Sequence, residues 1–259
     1  MTFSKLILAT LCVAAPAVFA QSPGNSNGCS SLPNYAQLKD ALSTAVTAET
    51  SGLDLQMWAT IVDRDGVVCA VAFSGDDRGS QWPGSRVISA QKANTANAFS
   101  LNGLALSTAN LYSAVQPGGS LFGLQESNPV ATDVAYKGPS ANYGKANDPM
   151  VGSKIGGVNV FGGGLALYNA SRKVIGAVGV SGDTSCADHR IGWRVRANLN
   201  LDNLLTVGGV ADGAHPDNMI FDITPNAAGG TGVSAGGFGH PHCLDVAKDG
   251  NPSSLPAVK

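Results

Sequence analysis

Residues 55–73, LQMWATIVDRDGVVCAVAF, hold two β-prone runs around a turn. Leu55–Val62 and Val67–Phe73 flank Asp63-Arg64-Asp65-Gly66, and Asp-Gly between such runs marks an antiparallel hairpin. Upstream, Asn34-x-x-Gln37 resembles a capping box. Leu38, Leu42 and Val46 then recur at helical spacing with Ala41 and Ala45, predicting a helix to about Ala48. Downstream, a loop at 74–84 leads to a helix over Ser85–Ser100 whose small residues Ala90, Ala93 and Ala96 allow close approach to a sheet. A second helical piece is expected near Leu104–Ala114. Residues 116–153 are rich in Gly, Pro, Asn and Ser and too long for a plain connection, so they read as functional or as a cover over a neighbour. Strand chemistry returns at Val158–Phe161, Leu165–Tyr168 and Lys173–Val180, and a last helix covers Cys186–Leu199. This order predicts an α+β fold with an antiparallel sheet flanked by helices. No Gly-x-Gly-x-x-Gly opens a helix after the first strand, which disfavours a dinucleotide fold.

The N-terminus reads as a secretory signal peptide. Lys5 precedes the apolar run Leu6–Phe19, broken by Pro16, and Val18-Phe19-Ala20 puts small residues at the cleavage positions before Gln21. The run is too short to span a bilayer, and no later stretch approaches the necessary length. The expected product is secreted or periplasmic, cleaved near Ala20, with a polar leader over 21–33. Of five cysteines, Cys12 leaves with the signal, and Cys29, Cys69, Cys186 and Cys243 remain in a compartment where disulfides persist. The net charge of −2, with no basic run beyond Arg190, Arg194 and Arg196, makes nucleic acid an unexpected partner.

"SRVISAQKANTANAFS" (85–100) and "GGGLALYNASRKVIGAVGVSGDTS" (162–185), with their spacing, resemble the GlcG/HbpS family of haem-binding, haem-degrading proteins. The likeness covers roughly 34–200, leaving 201–259 as a Gly/Pro-rich extension packed on that domain. It implies a profilin-like antiparallel sheet flanked by helices, assembly into homo-oligomers, and haem as the cofactor or cargo. Ile88, Lys92, Thr95 and Phe99 share the helix face that carries the family's motif. There Lys92 is placed to pair with a propionate and Phe99 to stack on a porphyrin, or Phe99 and Ile88 are core and Lys92 snorkels.

The turn at Ser181-Gly182 precedes a helix start capped by Thr184 or Ser185, with Asp188 completing a capping box with Ser185. Such a start is either a cap and turn or a set of amides able to hold a carboxylate such as a propionate. His189, four residues before Trp193, is a candidate axial ligand or a packed histidine. No diagnostic motif names the axial ligand or a catalytic residue. The rival readings are an exported binding module for a small organic acid or aromatic compound without haem, and a structural partner protein whose oligomer surface is the function.

The cysteines pair by topology. Helix 1 runs forward and strand 1 returns along it, so the Asp63–Gly66 turn, and Cys69 just after it, lie near the helix start that Cys29 precedes. Cys29 therefore pairs with Cys69, leaving Cys186 for Cys243. His240-Pro241-His242-Cys243 invites a metal reading, but that pairing takes Cys243, and His-x-His alone lacks the further ligands of a zinc site. No metal is expected. Gly-x-Ser-x-Gly, His-Glu-x-x-His and a phosphate loop are absent from the sequence.

Overall fold

The computed structural model describes residues 28–244, 249–251 and 254–259. The signal peptide and residues 21–27 of the leader lie outside the described residues. Asn34 caps α1 (Tyr35–Thr47) with both halves of the capping box formed. The hairpin follows as β1 (Trp58–Asp63) and β2 (Val68–Phe73). Then come α2 (Ser85–Phe99), a short α3 (Thr132–Ala135), β3 (Gly164–Tyr168), β4 (Val174–Ser181) and α4 (Ser185–Asn198). The four strands form one antiparallel sheet in the order β2-β1-β4-β3, and β5 (Ile223–Thr224) and β6 (Val233–Ser234) make a small separate hairpin.

Both faces of the sheet are covered, which is why every residue of β1 is buried and its apolar residues fall on both faces rather than alternating with exposed ones. Ala59 and Ile61 face the core built with α1 and α4, through Leu38, Leu42 and Trp193. Trp58 and Val62 face the core built with α2, through Val87, Ala90, Ala93 and Ala96. The small-residue stripe does bring α2 onto the sheet. At Gly179 of β4 an added Cβ would lie 2.0 Å from the Ser89 carbonyl oxygen, so the close approach this glycine permits is by helix backbone.

Two sequence expectations fail for local reasons. Val158–Phe161 is not a strand. Gly156 and Gly157 adopt positive φ just before it, and the Asn159 and Phe161 amides donate to the side chains of Thr95 and Asn159 instead of to a ladder. Leu104–Ala114 is not an α-helix either: it begins extended, with Leu104 bridged to Gly208. Only 3-10 turns then follow, at Thr108–Leu111 and Ser113–Val115, where Asn110 Oδ1 accepts from both the amide and hydroxyl of Ser107.

The extension is part of the core. Leu204, Val207, Leu255 and Val258 join the α1/α4 cluster, and Asp217 forms a two-pronged ion pair with Arg196, both fully buried. Glu49 takes up Arg190 and Arg194, so each of the three clustered arginines has an acidic partner. Both disulfides form as the topology requires, Cys29–Cys69 and Cys186–Cys243. Among the described residues no helix is long and apolar enough to cross a membrane.

Candidate functional site

The residues singled out in the sequence divide among three places. Lys92 is 1 % exposed, and its ammonium donates to Asp188 Oδ2 at 2.7 Å and to the Val180 carbonyl at 3.1 Å. Its partner is thus a carboxylate of the chain itself. Thr95 is also buried; its hydroxyl donates to the Gln91 carbonyl and accepts from the Asn159 amide. On that face Phe99 lines a cavity, about 440 Å³ in volume, shared with Ala98, Leu124, Pro129 and Val158.

The loop after β4 does gather carboxylates, and they are its own. Thr184, not Ser185, caps α4 by accepting from the Ala187 amide. Asp188 closes no box with Ser185 and instead accepts from the Asp183 amide while binding Lys92. The Asp183 carboxylate takes the Leu53, Leu55 and Thr184 amides. Ser181 is buried at the end of β4, opposite Trp58. A Cβ on Gly182 would lie 2.4 Å from the Gln56 carbonyl oxygen.

His189 is 1 % exposed and lies 6.2 Å, ring to ring, from Trp193. Neither ring nitrogen has a partner of normal hydrogen-bond geometry, the Asn218 side chain being the polar group that faces it. Burial, with the Arg196 and His240 charges, pushes its pKa down to about 3, so the imidazole is neutral. Burial likewise lowers His240 to about 4.

A larger cavity, about 620 Å³, lies elsewhere. Its walls come from the two loops that the sequence left without periodicity. Asp77, Arg78, Pro83 and Gly84 precede α2, and Tyr136, Ser140 and Tyr143 belong to the long 116–153 segment, with Trp58 below. Asp148 organises that segment. Its carboxylate receives the Arg86 guanidinium and the amides of Gly144 and Met150. Arg86 also donates to the Ala135 carbonyl and stacks 3.6 Å from the centre of the Tyr143 ring. Gly144 has φ +72° and sits where a Cβ would strike Phe73 and Trp58, so only glycine lets the loop close down on the sheet. Trp58 is held in turn by its indole N–H, which donates to the Trp82 carbonyl. Arg78 and Tyr136 are exposed at the mouth. The only advance signal for this cavity was the excess length of the 116–153 loop.

A sheet covered on both faces, with a cavity lined by Trp58, Tyr136 and Tyr143 beside the long 116–153 loop, defines an α+β sandwich. The chain belongs to the HbpS-like family, described as haem degrading protein HbpS-like, whose family model matches residues 35–195. Among solved structures it is similar to PduOC in a heme complex, at 24 % identity over 64 % of this chain and 91 % of that one, with a TM-score of 0.44. It is also similar to the Klebsiella pneumoniae protein ORFY, at 26 % identity over 64 % and 90 % with a TM-score of 0.43. A double mutant of Streptomyces reticuli HbpS follows, at 13 % identity over 74 % and 99 % with a TM-score of 0.39. No curated protein matches the chain.

Proposed function

We propose that this is an exported haem-binding protein that holds the porphyrin in the cavity walled by Trp58, Tyr136 and Tyr143. That cavity is the observation that carries the reading. Its volume of about 620 Å³ falls within the range of small-molecule sites, and its lining offers what an amphipathic aromatic disc requires. Trp58 and Pro83 give an apolar floor, and the Arg78 guanidinium at the mouth suits a propionate. The phenol of Tyr136, whose residue is 63 % exposed, is a competent axial donor for haem iron. Lys92 and His189 do not fit the same role, because both are sealed in the interior. Family membership supports haem as the ligand, and bound haem would supply the redox chemistry while the chain binds and orients it. Export is supported by the Lys5–Ala20 segment and by two disulfides, which persist in oxidising compartments.

The test is a hemin titration of the mature chain. A saturating Soret shift is expected at one haem per chain, weakened roughly tenfold by Arg78→Ala, with Tyr136→Phe altering the spin-state bands. No Soret perturbation in the wild type would remove haem. Quenching of tryptophan fluorescence by an aromatic carboxylate would then assign the cavity to a non-haem ligand. Loss of the Soret band on adding ascorbate reads degradation in the same cuvette. Gln21 as the N-terminal residue of the exported protein checks the cleavage site.

A further inference from the structure

We propose that Cys186, Cys243 and His240 form a reductively gated site for a thiophilic divalent cation such as Zn²⁺, closed as the disulfide and opened as two thiolates and an imidazole. The two sulfurs and a His240 ring nitrogen all lie within 4.8 Å of one another. The histidine is already oriented as a ligand. Its Nδ1 is 2.7 Å from the Pro241 carbonyl oxygen, which can only accept, so Nδ1 carries the proton and Nε2 presents its lone pair. That Nε2 and Cys243 Sγ each lie 3.2 Å from the Ser185 hydroxyl, which bridges nitrogen and sulfur in the oxidised state.

The sulfur environment favours a thiolate. The Cys186 amide, in the first turn of the 14-residue α4, donates to Cys243 Sγ at 3.1 Å and brings the positive end of the helix to it. The loop bearing two of the ligands is fixed by more than the disulfide. The His240 amide donates to the Ile220 carbonyl, the Cys243 amide to Asp249, and the Ser113 hydroxyl to the Gly239 carbonyl. After reduction the sulfurs have to part, to about 3.8 Å across a tetrahedral ion with Zn–S near 2.3 Å, and the Ser185 hydroxyl has to turn aside. A cavity of about 310 Å³, lined by Tyr112, Phe161, Thr184 and His242, also takes in two of the ligands, His240 and Cys243. The fourth coordination position is therefore open to water or a small ligand, as in zinc centres with three protein ligands.

The gating step balances with an external dithiol. Its thiolate attacks the half-buried Cys243 Sγ, and the buried Cys186 leaves as a thiolate and takes up a proton. The second thiol then closes the cyclic disulfide and releases Cys243, so that two electrons and two protons have passed to the pair. Cation binding then releases both thiol protons.

Cobalt(II) tests this on the full mature chain without hemin, so the outcome is independent of the haem reading. The chain is compared oxidised and after phosphine reduction followed by desalting under argon. The reduced chain is expected to take up one Co²⁺ with thiolate-to-cobalt charge-transfer and tetrahedral d–d bands, displaced by Zn²⁺, while the oxidised chain shows neither. Cys243→Ser should abolish the charge-transfer pattern of the pair, and His240→Ala should weaken affinity roughly tenfold or more and shift the d–d bands. A reduced chain without these bands, whether folded by circular dichroism or unfolded and not refolded by the ion, overturns the proposal. So do bands that survive unchanged in either variant.

Discussion

Lys92 Nζ lies 2.7 Å from Asp188 Oδ2 with both groups sealed from solvent, so one ion pair fastens α2 to α4 at the end of β4. Burial opposes both charges, raising the Asp188 pKa to about 6 and lowering that of Lys92. Removing either partner strands the other, so Lys92→Met and Asp188→Asn should each cost about 3–5 kcal/mol. The apolar double replacement Lys92→Met with Asp188→Leu should recover most of that. Urea midpoints for the three variants form the cycle; single losses below about 1 kcal/mol would show that the pair is not structural.

Acid should destabilise the protein through its buried imidazoles. His189 has a folded pKa of about 3 and His240 of about 4, both below the ordinary 6.5. Above 6.5 each is neutral whether folded or unfolded. Below it the unfolded chain binds protons that the folded chain refuses, so stability falls as pH falls towards the folded values. A histidine so shifted costs about 2 kcal/mol at about pH 5. His189→Leu should remove its share, so the gap in unfolding free energy between wild type and variant should change by that amount between neutral pH and pH 5. A gap independent of pH would contradict the assignment.

The extension is held by both charge and sulfur. Asp217→Ala leaves Arg196 buried without its partner and should cost about 3–5 kcal/mol. Cys243→Ala, which opens a bridge across a sequence separation of 57, should cost about 2–4 kcal/mol. Guanidinium midpoints decide the order, and truncation before Leu204 should yield insoluble protein.

Helix–sheet contact should tolerate no methyl group at Gly179. Its Cβ would fall 2.0 Å from the Ser89 carbonyl oxygen and 2.5 Å from the Ala93 nitrogen, both backbone. Gly179→Ala should therefore lose more than about 3 kcal/mol. Gly103→Ala, with open space around it, should change stability by less than about 0.5 kcal/mol. Thermal melts of the two variants compare them directly, and equal melting temperatures would refute the close-packing account.

What the sequence determined by itself is local or follows from chain direction. Asn34 and Gln37 cap α1, because each reaches the other's backbone across one turn. Asp65-Gly66 turns the hairpin, because Gly66 readily adopts φ +77°. The order of α1, β1 and β2 brought Cys29 to Cys69, leaving Cys186 for Cys243. Where backbone groups found partners outside their own segment, as the Asn159 amide did with Thr95 Oγ1, the strand expected at Val158–Phe161 failed. The site was less legible. Lys92 on a helix face reads the same whether it meets a propionate or a carboxylate, and only the fold places Asp188, 96 residues away, against it. The tertiary structure also decided that His189 is enclosed, that Gly144 closes down on Trp58 and Phe73, and that His240 lies beside Cys186. The physical reason is that turns, caps and periodicity are set by neighbours within about a helical turn. Burial, desolvation and the enclosure of a cavity depend on which distant segments exclude water together, and no local pattern carries that information.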